Sequence, residues 1–300
     1  MTDIKIAGQV ISKKLPYRPP YEWDKLLTFF EGRAIDGVEM VRDQAYWRVI
    51  RESVDGREWI GWIAVAHEPE GDQLRLILPD QLHPILPLVE EKIGHMFDLN
   101  CDPHEIYDRL RTMNEIKAGL CIPGTRVPGT YDAFEMCVRA VLGQQITVKA
   151  ARTLASRLAL NLGEPVETGI EGLTHAFPTA ESVLNFGEDL PNTLGSLGVT
   201  GQRSQTIRSL AGITIRGLLQ PQSPAAAQEV MKELMTIKGV GPWTAHYLAM
   251  RALKWSDAFP STDYGVKKVL EPRSQKEIQT LSEAWRPWRA YATVNIWNWR

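Results

Sequence analysis

The segment Met235-Thr236-Ile237-Lys238-Gly239-Val240-Gly241-Pro242-Trp243-Thr244-Ala245 restricts this chain more than any other stretch. A helical run ends near Met235. Pro242 suits the first position of a new helix, where its missing N–H leaves no bond unmade. Between them, two glycines flank one apolar residue, which permits a tight turn and close approach of another backbone. The first N–H groups of the new helix lack partners within it, so the turn can bind an anion, and a DNA phosphate is the natural candidate. A bare Gly-x-Gly is more often a plain helix–helix turn, so what lies downstream decides the reading. There, Phe259-Pro260-Ser261-Thr262-Asp263-Tyr264 sets one carboxylate after a proline-containing loop. Ser261 or Thr262 is suited to cap the following helix, with Asp263 in its first turn.

Charge and tryptophan both concentrate in this part of the chain. The net charge is only −2, but residues 231–300 carry eleven Lys/Arg against six Asp/Glu, while residues 131–230 net −2 and residues 1–130 net −5. Six of the ten tryptophans, Trp243, Trp255, Trp285, Trp288, Trp297 and Trp299, also fall there. Rings near basic residues suit base stacking, although tryptophan is also a good core filler. Cys101, Cys121 and Cys137 show no Cys-x-x-Cys spacing and are too few for a four-thiolate cluster, which points to a reducing compartment. No stretch approaches the ~18 apolar residues of a membrane span, and the first residues do not read as a secretory signal. The expected location is the cytoplasm.

The hydrophobic pattern predicts an α+β protein. Residues 1–116 read as a small α/β domain with an antiparallel sheet, containing a helix over 21–30 and strands over 38–50, 58–66 and 73–78. Asp55-Gly56 and Glu70-Gly71-Asp72 are hairpin signals between them. A helix over 84–97 would bury Ile85, Val89, Ile93 and Met96. Helical patterns then run almost to the end, over 132–142, 148–162, 180–186, 203–219, 224–235, 242–253, 263–270, 275–285 and 287–297. This multi-helix body divides into a helical domain (117–230) and a hairpin-and-carboxylate region (231–300), with a cleft between them.

At this point the chain resembles the helix–hairpin–helix DNA glycosylases, specifically the bacterial 3-methyladenine DNA glycosylase II type. The hairpin Ile237-Lys238-Gly239-Val240-Gly241 and the downstream Asp263 carry the likeness. So do Asp132-Ala133-Phe134, the run Val138-Arg139-Ala140-Val141-Leu142-Gly143-Gln144-Gln145, and Trp285-Arg286-Pro287-Trp288-Arg289-Ala290-Tyr291-Ala292 with Ile296-Trp297. Pro19-Pro20-Tyr21-Glu22-Trp23 and Met96-Phe97-Asp98-Leu99 resemble the N-terminal domain of the family, so the likeness spans most of the chain.

The resemblance implies a monofunctional enzyme of base excision repair. It would flip an alkylated purine out of double-stranded DNA and hydrolyse its N-glycosidic bond, with Asp263 as the catalytic carboxylate. Phe29, Trp243, Tyr247, Tyr264 and Trp297 would line the base pocket. Gln144, Gln145, Lys238, Gly239, Val240 and Gly241 would contact DNA, with Gln145 filling the gap left by the flipped nucleotide. Relatives that also nick the strand carry a Schiff-base lysine where this chain has Trp243, so base removal without strand cleavage is expected. Gly265 stands where relatives can have a larger side chain. No cofactor is required; the carbonyls of Met235, Ile237 and Val240 match a monovalent-cation site. A monomer is expected. Rival readings are an oxidised-purine glycosylase, against which Trp243 argues, and a non-catalytic hairpin DNA-binding protein, against which Asp263 and the aromatic positions argue.

Overall fold

The computed structural model describes residues 9–220 and 223–299. Strand β1 (Val10–Pro16) leads into helix α1 (Trp23–Glu31), followed by β2 (Glu39–Arg42), β3 (Ala45–Val54), β4 (Arg57–Glu68) and β5 (Gln73–Pro79). The strands form one antiparallel sheet in the order β1-β5-β4-β3-β2. The single strand expected over residues 38–50 is in fact two. Asp43 and Gln44 take φ of 52° and 55°, the backbone of a two-residue hairpin turn, so the chain reverses inside the run. Asp55-Gly56 makes the same turn between β3 and β4, as expected. Strand β1 has no counterpart among the expected strands, because this edge strand buries only Leu15 and offers almost no alternation.

Period-two alternation gives the sheet two covered faces. Tyr46, Ile50, Ile63, Val65, Leu74 and Leu76 share a core with α1 and with α2 (Leu86–Met96), whose Val89, Ile93 and Met96 are buried as expected, as is Ile85 just before it. Trp47, Val49, Trp62 and Ala64 point to the opposite face, where Leu173 and Ala176 cover them.

The helical body begins with α3 (Pro103–Leu110) and α4 (Met113–Ile116), which are absent from the expected helices because one or two turns show too little periodicity. Next come α5 (Ala133–Leu142), α6 (Val148–Leu162), the short pair β6 (Glu164–Pro165) and β7 (His175–Ala176), α7 (Ala180–Leu184), α8 (Leu190–Ser196) and α9 (Gly201–Ile215). The chain finishes with α10 (Pro224–Thr236), α11 (Pro242–Arg251), α12 (Tyr264–Leu270), α13 (Gln275–Ser282) and α14 (Arg289–Asn298). Phe134, Met136, Cys137, Val138 and Val141 bury nearly every side of α5, which lies against α6, α9 and α11. Among the described residues, no helix is long and apolar enough to cross a membrane.

A buried ionic cluster joins the sheet to this central helix. Arg48 of β3 donates from Nη2 to Glu135 Oε2 of α5 at 2.8 Å, and Arg139 donates from Nε to Glu135 Oε1 at 3.0 Å. Arg139 also pairs with Glu39 of β2, which accepts from the Tyr46 hydroxyl. Burial by itself would raise the Glu135 carboxyl, but Arg48 and Arg139 outweigh it and pull the group down from 4.5 to about 2. A depressed carboxyl contributes stability above its unfolded value and loses it as pH falls through the folded value. Glu135→Ala is expected to remove about 3–5 kcal/mol of stability at neutral pH, because it leaves two buried guanidiniums underpaired. In denaturant unfolding, the gap between the two proteins should narrow as pH falls from 4.5 towards 2. A gap independent of pH would exclude this role for Glu135.

Candidate functional site

The glycine-rich turn forms the expected hairpin between α10 and α11. Ile237 ends α10, and the Val240 N–H returns to the Ile237 carbonyl at 3.0 Å. Gly239 has φ of +94°, a conformation that favours glycine. A Cβ there would stand 2.3 Å from Thr206 Oγ1 of α9, and that hydroxyl donates to the Lys238 carbonyl at 2.9 Å. Gln144, just past α5, donates from Nε2 to the Gly239 carbonyl at 2.8 Å and to Thr244 Oγ1 at 3.0 Å. Gln144 thus braces both arms of the hairpin, a role with no local sequence signal. Gln145, at φ +57°, is the exposed neighbour at the loop tip. Lys238, Gly239 and Gly241 are exposed, whereas Val240 is buried. No side chain caps α11 at Gly241, so its first-turn N–H groups lack a protein cap.

Asp263 lies in a different position from the expected one. It is the N-cap residue of α12 rather than part of the first turn, and neither Ser261 nor Thr262 takes that place. Its Oδ1 accepts the Val266 N–H at 3.1 Å, which is a helix-cap bond. The same oxygen accepts the Trp297 indole N–H at 2.9 Å, and Oδ2 accepts the Trp243 indole N–H at 2.9 Å. One carboxylate therefore joins the start of α11, the start of α12 and the end of α14.

Three of the five expected pocket rings, Trp243, Tyr247 and Trp297, line the cleft beside it, and a fourth, Phe29, backs Trp297. Trp243 stacks on Tyr247 with centroids 5.1 Å apart and planes at 13°. Tyr247 tilts against Trp297 at 6.2 Å, and Trp297 stacks on Phe29 of α1 at 6.1 Å. The fifth, Tyr264, is 77% exposed and stands at the rim. Trp243, Tyr247, Trp297 and Asp263 face a cleft of about 1330 Å³, bordered by Gln144, Gln145, Gly239 and Gly241 on the hairpin side, and Phe29 does not line it.

Five cationic residues that line this cleft, Arg33, Arg139, Arg152, Arg251 and Lys268, are not among the expected site residues. Arg251 donates from Nη1 to the Tyr247 hydroxyl at 2.7 Å, from Nε to the Pro128 carbonyl at 2.8 Å and from Nη2 to the Gly129 carbonyl at 2.9 Å. Arg33 lies 3.7 Å over the Phe29 ring. Burial would raise the Tyr247 phenol, but Arg251 and Arg33 overcome it and hold the group below its usual 10.0. A signal for Arg251 does exist in the sequence: Trp243, Tyr247 and Arg251 repeat every fourth residue and share one face of α11. Arg33 gives none.

A multi-helix body with a glycine hairpin, an aromatic cleft and one indole-held carboxylate defines the helix–hairpin–helix glycosylase class. Residues 12–132 match the AlkA N-terminal domain family. The chain is 33% identical over 283 residues to DNA-3-methyladenine glycosylase 2 of Escherichia coli K12, covering 94% of this chain and 95% of the relative. It is 34% identical over 296 residues to the "Probable bifunctional transcriptional activator/DNA repair enzyme AlkA" of Mycobacterium tuberculosis, matching 97% of this chain and 57% of that longer protein. Its fold resembles the solved 3-methyladenine DNA-glycosylase of Archaeoglobus fulgidus, with TM-score 0.73 and 20% identity over 95% of this chain and 97% of that one. The chain belongs to the DNA-3-methyladenine glycosylase 2 (AlkA) family.

The hairpin geometry makes a testable energetic statement. Gly239→Ala is expected to lose about 1–3 kcal/mol through its left-handed backbone, and more through the Thr206 contact. Thr206→Ala removes the clashing hydroxyl, so the double variant should be more stable than the sum of the single losses. A double-mutant cycle by denaturant unfolding checks this, and strict additivity would refute the contact.

Proposed function

We propose that this chain is a monofunctional DNA glycosylase of base excision repair that removes alkylated purines, such as 3-methyladenine, from double-stranded DNA. The observation that carries the reading is Asp263, held at both oxygens by indole N–H groups inside an aromatic cleft beside the hairpin. A purine in a duplex cannot reach such a cleft, so its nucleotide must rotate out. Trp243, Tyr247 and Trp297 offer rings to the flipped base, and Phe29 backs Trp297. Electron-rich rings attract a base made cationic by alkylation, worth ~0.5–2 kcal/mol. That is too little for fine selectivity, so the weakened glycosidic bond supplies much of the discrimination. Gln145 enters the gap in the duplex, Gln144 keeps the hairpin set, and Lys238 with the N–H groups of the turn grips phosphate.

Bond cleavage builds positive charge on the sugar. Each carboxylate oxygen accepts about two hydrogen bonds. Oδ1 already accepts two, from Trp297 and Val266, whereas Oδ2 accepts one, from Trp243. Oδ2 is therefore the oxygen with capacity for the attacking water, and it favours the sugar cation electrostatically. The water oxygen bonds to C1′ as the glycosidic bond breaks, its proton passes to Asp263 Oδ2, and the cationic alkylated base takes the glycosidic electron pair and leaves neutral. Trp243 has no amine to form a Schiff base with C1′.

The carbonyls of Met235, Ile237 and Val240 would hold a hard monovalent cation against the phosphate. The last carbonyls of a helix lack intrahelical partners, which suits Met235 at the end of α10. The proposed form is a monomer. Free thiols at Cys101, Cys121 and Cys137 fit a cytoplasmic location.

Two measurements test the reading. Asp263→Asn is expected to slow release of methylated purines on the order of 100–1000-fold while duplex binding changes little. Release at the wild-type rate would remove Asp263 from the mechanism, and preferred release from oxidised rather than methylated duplexes would replace the substrate class. Lys268 also lines the cleft, so borohydride trapping checks every amine there. No covalent protein–DNA adduct is expected; an adduct would mean strand-nicking chemistry.

A further inference from the structure

Trp243 and Tyr247 are four residues apart on α11 and share a face. Tyr247 therefore stands one turn, about 5.4 Å, beyond the ring that holds Asp263 Oδ2. Its hydroxyl accepts from Arg251 Nη1 at 2.7 Å, and the Arg33 guanidinium is a second cationic neighbour. Guanidiniums donate and never accept. Neither can take the phenolic proton, and among the described residues no other group accepts it. Tyr247, Arg33 and Arg251 all line the cleft, so the unclaimed O–H belongs to the space that a flipped base would enter. Arg251 otherwise bonds the Pro128 and Gly129 carbonyls, and Arg33 the Phe29 carbonyl at 3.3 Å. Among the described residues neither has a carboxylate partner, so both charges act on the phenol. Burial raises the Tyr247 phenol, but Arg251 and Arg33 outweigh it, which makes the O–H a stronger donor.

We propose that Tyr247 is a further catalytic residue: its hydroxyl, fixed by Arg251 and Arg33, donates a hydrogen bond to an acceptor atom on the edge of the departing base. The inference rests on the glycosylase reading above and adds a group that acts on the leaving base rather than on the sugar. A base whose sugar lies beside Asp263 would extend its far edge along α11 towards Tyr247. A cationic alkylated base leaves neutral, so it gains little from a donor beside two positive charges. A neutral purine leaves as an anion, and its acceptor atoms gain electron density as the glycosidic bond breaks. The bond from Tyr247 strengthens with that charge, and the two guanidiniums favour it electrostatically. The water oxygen bonds to C1′ and its proton passes to Asp263. The base keeps the glycosidic electron pair and takes one proton from solvent after release, while Tyr247 keeps its own. Arg251 acts through the Tyr247 oxygen and is a positioning residue.

Single-turnover release of hypoxanthine, a neutral base, and of 7-methylguanine, a cationic one, from duplex DNA tests the proposal with the full chain. The wild type is expected to release both. Tyr247→Phe keeps the ring and its stacking on Trp243 but removes the O–H. It should keep 7-methylguanine release within a few-fold and slow hypoxanthine release on the order of 10–100-fold. Retained 7-methylguanine release also shows that the variant folds. Arg251→Lys keeps the charge but loses the fixed fork of donors. It should show the same selective loss, and add little to Tyr247→Phe in the double variant. Equal loss of both bases in Arg251→Lys would overturn the part assigned to Arg251. Equal loss of both bases in Tyr247→Phe, or unchanged hypoxanthine release, would overturn the proposal with the glycosylase reading intact. So would a wild type that releases 7-methylguanine but not hypoxanthine. A wild type that releases neither base would remove the glycosylase reading itself.

Discussion

The buried contact between Glu135 and the two guanidiniums of Arg48 and Arg139 sets the relation between the two halves of the molecule. A buried charge pair is weak evidence for net stability, because desolvation opposes the attraction. It is strong evidence for geometry, because any other docking would leave a charge alone in the core. Arg139 extends the same lock by donating to the Arg33 carbonyl at 2.9 Å, just beyond α1. Arg33 is thereby held at the cleft and Phe29 against Trp297. The small N-terminal unit thus contributes Arg33 to the site and the Phe29 ring that backs Trp297.

The second constraint is the three-way use of Asp263. Its N-cap bond is an ordinary device for starting a helix. The same carboxylate takes an indole N–H from α11 and another from α14. Those bonds fix the two tryptophans as walls, and the tryptophans fix the carboxylate in return. Groups held in this way need little rearrangement when charge develops beside them, which is where electrostatic assistance is largest. The hairpin is braced in parallel by Gln144, just past α5, and by Thr206 within α9. A phosphate gripped at the turn and a sugar beside Asp263 would therefore be positioned by one connected framework.

Patterns that repeat along the chain are legible in the amino-acid order. The helical body follows from apolar residues at helical spacing, and the hairpin follows from Gly239, Gly241 and Pro242. Asp55-Gly56 marks a true turn because its backbone preference is local. Asp43-Gln44 gives no such mark, because neither residue demands φ above zero and the apolar run continues on both sides. Asp263 and four ring positions are legible through resemblance, and Arg251 can be read from the spacing on α11. The displacement of Tyr264 to the rim cannot be read in this way, because it depends on how α12 sits against α14.

Backbone preference and periodicity act over a few residues. They are enough to establish the class of fold, the phosphate-suited turn and the one acidic group placed to serve it. Packing in three dimensions was needed to settle that Arg48 meets Glu135, that Phe29 reaches Trp297, and that Gln144 holds the hairpin. Such contacts join residues far apart in the chain and on separate elements. Nothing in the local chain favours one partner over another until collapse brings them together and burial makes every unpaired polar group expensive.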